Sequence, residues 1–109
     1  MAANRRRGEV EAVIDGRARV LCLTLGALAE LESAFGAEDL GDLTRRFGSG
    51  ALSARDIISV VAAGLRGAGE SVDEAEVAAM RFEHGMAGAA ALVADLLGAA
   101  FGEARPANP

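Results

Sequence analysis

Tryptophan, tyrosine and lysine are absent from this chain, and histidine and cysteine occur once each, as His84 and Cys22. Without Trp or Tyr it lacks the usual stacking platforms for single-stranded nucleic acid and the commonest hot-spot residues of protein interfaces. All 11 basic residues are arginine, so there is no P-loop lysine, no Schiff-base lysine and no Ser-Lys pair. A lone cysteine cannot close an internal disulfide, which points to a reducing cytoplasm. No His and Cys stand at metal-ligand spacing, so neither a metal nor a cofactor is expected. No apolar run approaches the roughly 18 residues of a membrane-spanning helix. The basic start, Arg5 to Arg7, is not followed by the apolar stretch of a signal peptide. These absences leave an enzyme nothing to work with; the expectation is a protein that binds.

What is present fits one small domain. The chain has 109 residues, 51% of them hydrophobic and many of those alanine, so the core should pack small side chains around a few larger anchors. Net charge is −5, unevenly spread: residues 1–24 carry five Arg against three acids, the remainder six against thirteen. An acidic body argues against wrapping duplex DNA, and no nucleic-acid partner is expected. The Arg5–Arg7 arm keeps a small nucleic-acid-binding regulator as the weakest alternative. Residues 1–7 read as a disordered basic arm, 8–102 as a single helical domain and 103–109 as a flexible tail.

The fold class read from the pattern is mostly α with a small N-terminal β-hairpin, a compact bundle of about four to five short helices. Residues 9–14 and 17–23 are β-prone runs around Asp15-Gly16. A two-residue turn would set Val10 opposite Leu21 and Ala12 opposite Arg19, mixing core and solvent on each face. A bulge at Gly16 would instead set Val10 against Val20, Ala12 against Ala18 and Glu11 against Arg19. The bulged register is expected.

Thr24 caps a helix over 24–35 with Leu28, Leu31 and Phe35 as its stripe and Gly36 as its stop. A shorter helix over 38–47 follows, with Leu40, Leu43 and Phe47 on one face, then a loop at Ser49-Gly50. Ser53 with Asp56 and Ser71 with Glu74 read as capping boxes. The first opens a helix with Ile57, Ile58, Val61 and Leu65 inward, ending near Gly67. The second opens one with Val72, Ala75, Ala79 and Phe82 inward and Gly85 as its stop, which places His84 at a helix C-terminus. Cys22 reads as a small hydrophobe in the second strand. Gly64, Gly67 and Gly69 end a helix, the wrong place for a phosphate loop.

The last helix, over 87–101, has Asp95 as its only charge, and Leu92, Val93, Leu96, Leu97 and Phe101 spread around it. A helix apolar on most sides must be buried on most sides. Either it is the central helix, or a partner covers part of it. Phe82, Met86, Leu92, Leu96, Leu97 and Phe101 are the candidate partner-binding residues, with core packing the competing role for each.

The passage from Gly16 to Glu32, with Leu21, Leu23, Thr24, Gly26, Ala27, Leu28, Glu30, Leu31 and Glu32 in place, resembles a strand-to-helix motif of small gene-transfer-agent tail proteins related to phage tail assembly chaperones. Leu65-Arg66-Gly67-Ala68-Gly69 is similar to that family's "L-R-G-x-G" helix end. The 76–80 and 91–97 stretches fit its C-terminal half, so the likeness covers about residues 8–102. The resemblance implies a protein encoded between tail tube and tape-measure genes that helps build a phage-like tail. As a chaperone it would bind the tape-measure protein, with tail tube subunits as a further candidate partner, through apolar helix faces; as a structural component it would stay in the tail. A ring-forming tube subunit needs a large β-sheet, and only two strands are legible, which favours the chaperone.

Overall fold

A computed structural model describes residues 4, 7–48 and 51–101. The expected tail at 103–109, the loop at Ser49-Gly50 and most of the expected arm at 1–7 lie outside the described residues. Of the arm, Asn4 uses its carbonyl to accept the amides of Arg7 and Glu9, each at 3.0 Å.

The chain opens as an antiparallel hairpin, β1 (Glu9–Ile14) and β2 (Arg17–Cys22). Its register corrects the bulged one expected above: Val10 pairs with Leu21, Glu11 with Val20, Ala12 with Arg19 and Ile14 with Arg17. The turn decides this. Asp15 and Gly16 both take positive φ, 54° and 78°, the two-residue geometry whose twist matches that of the flanking strands. Val10, Ile14 and Leu21 then face the core and are buried. Arg17 and Arg19 fall on the same face, the mixture that counted against this register. The fold accommodates both. Arg17 sits exposed at the hairpin end, while Arg19 reaches out to Glu70, 3.4 Å away in the loop after the third helix.

Five helices follow among the described residues: α1 (Leu25–Phe35), α2 (Leu40–Gly48), α3 (Ala54–Gly67), α4 (Glu74–Ala78) and α5 (Gly85–Ala100). Thr24 caps α1 as expected, its hydroxyl accepting the Ala27 amide at 3.1 Å, and Gly36 closes it. Leu43 is the fully buried anchor of α2. Phe35 and Phe47 meet edge-to-face at 5.3 Å, with the Arg46 guanidinium 4.6 Å from the Phe35 ring. The Ser53–Asp56 capping box forms in full, both bonds at 3.1 Å.

The central element is α3. Ile57 and Val60 to Leu65 are buried without a break after Ser59, and α1, β2, α4 and α5 all pack against it. It approaches β2 through glycines. A Cβ on residue 64 would stand 3.2 Å from Leu21 and Leu96, and one on residue 67 only 2.0 Å from the Cys22 carbonyl oxygen.

Two expectations are corrected in the C-terminal half. First, α4 is not a long helix reaching Phe82: Asp73 caps it with Glu76 as reciprocal partner, and it ends at Ala78. Residues 80–83 leave to pair with the outer edge of β1. Ile14 and Phe82 form a β-bridge, the Asp15 amide donates to the Arg81 carbonyl at 2.8 Å, and the Glu83 amide donates to that of Val13 at 3.2 Å. The unpaired edge of β1 supplies backbone partners that helical propensity could not anticipate. Second, His84 ends no helix. It takes a left-handed φ of 67° at the start of α5, and Gly85 follows at 61°, turning the chain into the last helix.

Nor is α5 the central helix. Ala89, Leu92, Val93 and Leu96 are buried, while Ala87, Ala91, Ala94 and Asp95 face solvent. Alanine explains the mismatch: it favours helix strongly and exposes little apolar area, so an alanine-lined face can meet water at small cost.

Candidate partner-binding clefts

A strongly apolar cleft opens where α4 stops short. Because residues 80–83 turn away to join β1, the N-terminal half of α3 and the first turns of α5 are left with an uncovered space of about 340 Å³ between them. Ile57, Ile58, Val77, Met80, Phe82 and Met86 line it, with Arg81 the one charged residue on its wall. Val77 and Ile57 are buried and form its floor; Phe82, Ile58 and Met80 are half-buried; Met86 stands 65% exposed at the rim. The two methionines give this surface a deformable lip, suited to apolar side chains of varied shape.

A second opening of about 210 Å³ lies between α2 and α5, lined by Thr44, Phe47, Leu97 and Phe101 among others. The six candidate partner-binding residues thus separate by location. Phe82 and Met86 share the first cleft, and Leu97 and Phe101 share the second. Leu96 is fully enclosed and Leu92 only 7% exposed, so those two hold the core. Ile57, Ile58, Val77 and Met80 line the cleft without being among the expected site residues, because α4 ends at Ala78 and leaves this flank open. The paired isoleucines and the Met80/Met86 spacing were the available signal.

Charge at the clefts is sparse. Asp56 is 7% exposed and lies 3.0 Å from Arg46, tying α2 to α3. Burial pushes its carboxyl up, but the Ser53 amide and the Arg46 guanidinium outweigh this and hold it below the usual carboxylate range. Burial raises the Cys22 thiol, with Glu9 adding to the effect, and its Sγ donates to the Arg7 carbonyl at 3.6 Å. A raised thiol is a poor nucleophile. Among the described residues no group of three or more His, Cys, Asp or Glu is placed to hold a metal ion, and no helix is long and apolar enough to cross a membrane.

A family model described as "Phage tail tube protein, GTA-gp10" matches residues 7–103. The chain belongs to this family. The resemblance drawn from the Gly16–Glu32 passage is thereby upheld as a gene-transfer-agent tail family, and the protein has a tail-related role. No curated protein and no solved structure matches it. Within this tail-protein fold the "L-R-G-x-G" segment now has a structural purpose: Gly67 lets the end of α3 touch the β2 backbone.

Proposed function

We propose that this tail protein acts as an assembly chaperone, holding an apolar helical stretch of the tape-measure protein, with tail tube subunits as a second partner, without catalysing a reaction. The observation that carries the reading is the cleft between α3, the 80–83 segment and α5, apolar on nearly every side and open to solvent. Such a cleft suits helix-in-groove recognition, in which side chains at i, i+3, i+4 and i+7 of the bound helix enter a hydrophobic trough. A net charge of −5 would help keep the complex in solution, and assembly before tail completion places the protein in the cytoplasm.

A second reading, a permanent tail component, is favoured by the description of the family as tail tube proteins. Against ring formation, the only sheet among the described residues is the two-stranded hairpin. Co-purification of tagged protein with the tape-measure chain tests the leading reading: wild type should retain it, Met86→Glu should lose most of it, and no retention by folded wild type would refute the proposal. Mass spectrometry of purified particles separates the two readings, since a chaperone is scarce there and a structural subunit is stoichiometric.

A further inference from the structure

We infer that the cleft between α3 and α5 selects a helix by charge as well as shape, and that its occupant is an amphipathic helix of another polypeptide bordered by carboxylates. The inference rests on the helix-in-groove reading and adds what that helix must carry.

Among the described residues, five arginines have a carboxylate partner. Arg7 faces Glu9, Arg19 faces Glu70, Arg45 faces Asp42, Arg46 faces Asp56 and Arg66 faces Glu30. Among the described residues, the side chains of Arg17, Arg55 and Arg81 have no ion pair or hydrogen bond. Two of these three flank the cleft. Arg81 is on its wall, and Arg55 lines the adjoining hollow, which shares Ala54 and Ile58 with the cleft. In a protein with 16 acidic residues against 11 arginines, intramolecular carboxylates are in surplus, yet these two guanidinium groups remain unpaired and exposed. Glu74, near Arg55 in the same hollow, is engaged by the Ser59 hydroxyl at 3.3 Å.

Positive charge beside an apolar trough favours ligands with negative charge along the matching border, mostly by steering the encounter and penalising the wrong partner. A second copy of this chain is the poorer occupant, because two bodies each at −5 repel.

The test uses the full chain and labelled synthetic helices of about 18 residues, roughly five turns, with one common Leu/Ile stripe bordered by Glu, Gln or Lys. Fluorescence anisotropy at low and high salt should rank Glu above Gln above Lys, with roughly tenfold between the extremes at low salt and less at high salt. The Arg55→Glu/Arg81→Glu double variant should reverse the order. Both side chains are exposed, and circular dichroism checks the fold; if the reversal unfolds the protein, Arg55→Gln/Arg81→Gln should flatten the ranking instead. Equal affinity for all three borders, with binding still abolished by Met86→Glu, overturns the charge inference and leaves the groove reading standing. No binding of any peptide removes the groove reading itself. Sedimentation showing a wild-type dimer lost in Met86→Glu would assign the cleft to a second copy and overturn the proposal.

Discussion

The carbonyl oxygen of Cys22 lies 2.0 Å from where a Cβ on residue 67 would stand. This contact seats the end of α3 on the end of β2, and neither backbone can yield without moving a whole element. Gly67→Ala should therefore destabilise despite alanine's advantage of about 1 kcal/mol in helix propensity. We expect a net loss of about 2 kcal/mol and a Tm lower by roughly 10 °C. A thermal melt showing an unchanged or higher Tm would mean the contact relaxes freely.

Leu96 and Met86 sit on the same helix and should behave oppositely. Leu96 is fully enclosed and lies against the α3 backbone at Gly64, so Leu96→Ala should cost about 2–5 kcal/mol in urea unfolding. Met86 is 65% exposed, and Met86→Ala should stay within about 0.5 kcal/mol of wild type while weakening partner capture. If Leu96→Ala proved as mild as Met86→Ala, the placement of the core along α5 would be wrong.

The hairpin register can be checked at Arg19. Its Nε and Nη1 are buried without a hydrogen-bond partner, and among the described residues its charge is offset by Glu70 alone. Glu70→Ala leaves that charge unopposed and should cost about 1–2 kcal/mol, discounted because Glu70 is itself partly exposed. Arg19→Met, which keeps the apolar stem and drops the charge, should be neutral or stabilising. In the bulged register Arg19 would face solvent and both substitutions would be silent. Comparing the two unfolding midpoints distinguishes the registers.

Asp56 sets part of the acid limb of stability. Its folded-state pKa is depressed, so it stabilises the fold above the ordinary carboxylate value of about 3.9, and this contribution is lost as pH falls through the lower folded value. Unfolding free energy should drop in acid more steeply for wild type than for Asp56→Asn, which pays its cost, about 1–2 kcal/mol, already at neutral pH. Parallel acid limbs for the two proteins would show that Asp56 is not depressed.

Local signals accounted for much of the fold. Thr24 and Gly36 bracket α1, and Ser53 with Asp56 starts α3, because caps are satisfied within a few residues of themselves. The motif from Gly16 to Glu32 likewise carried the family. The same locality explains the failures. Nothing near Phe82 shows that the free edge of β1 takes its backbone, so local propensity extends α4 to Phe82 and puts His84 at the wrong helix end. Because α4 ends at Ala78, the flank formed by Ile57, Ile58, Val77 and Met80 is open, and of its lining only Phe82 and Met86 are legible as site residues in the sequence.

Sequence alone, then, determined the element types, the Thr24 and Ser53 caps, the position of the Asp15-Gly16 turn and the tail-protein family, since each depends on interactions within a few residues or on a contiguous motif. Tertiary structure decided where Arg19 finds its carboxylate, the central place of α3, the short α4 and which side chains of α5 are enclosed. Those outcomes depend on partners far apart in the chain: Arg19 with Glu70, Ile14 with Phe82, Gly67 with Cys22. Packing brings such partners together only after the local elements exist, so no window of sequence contains them.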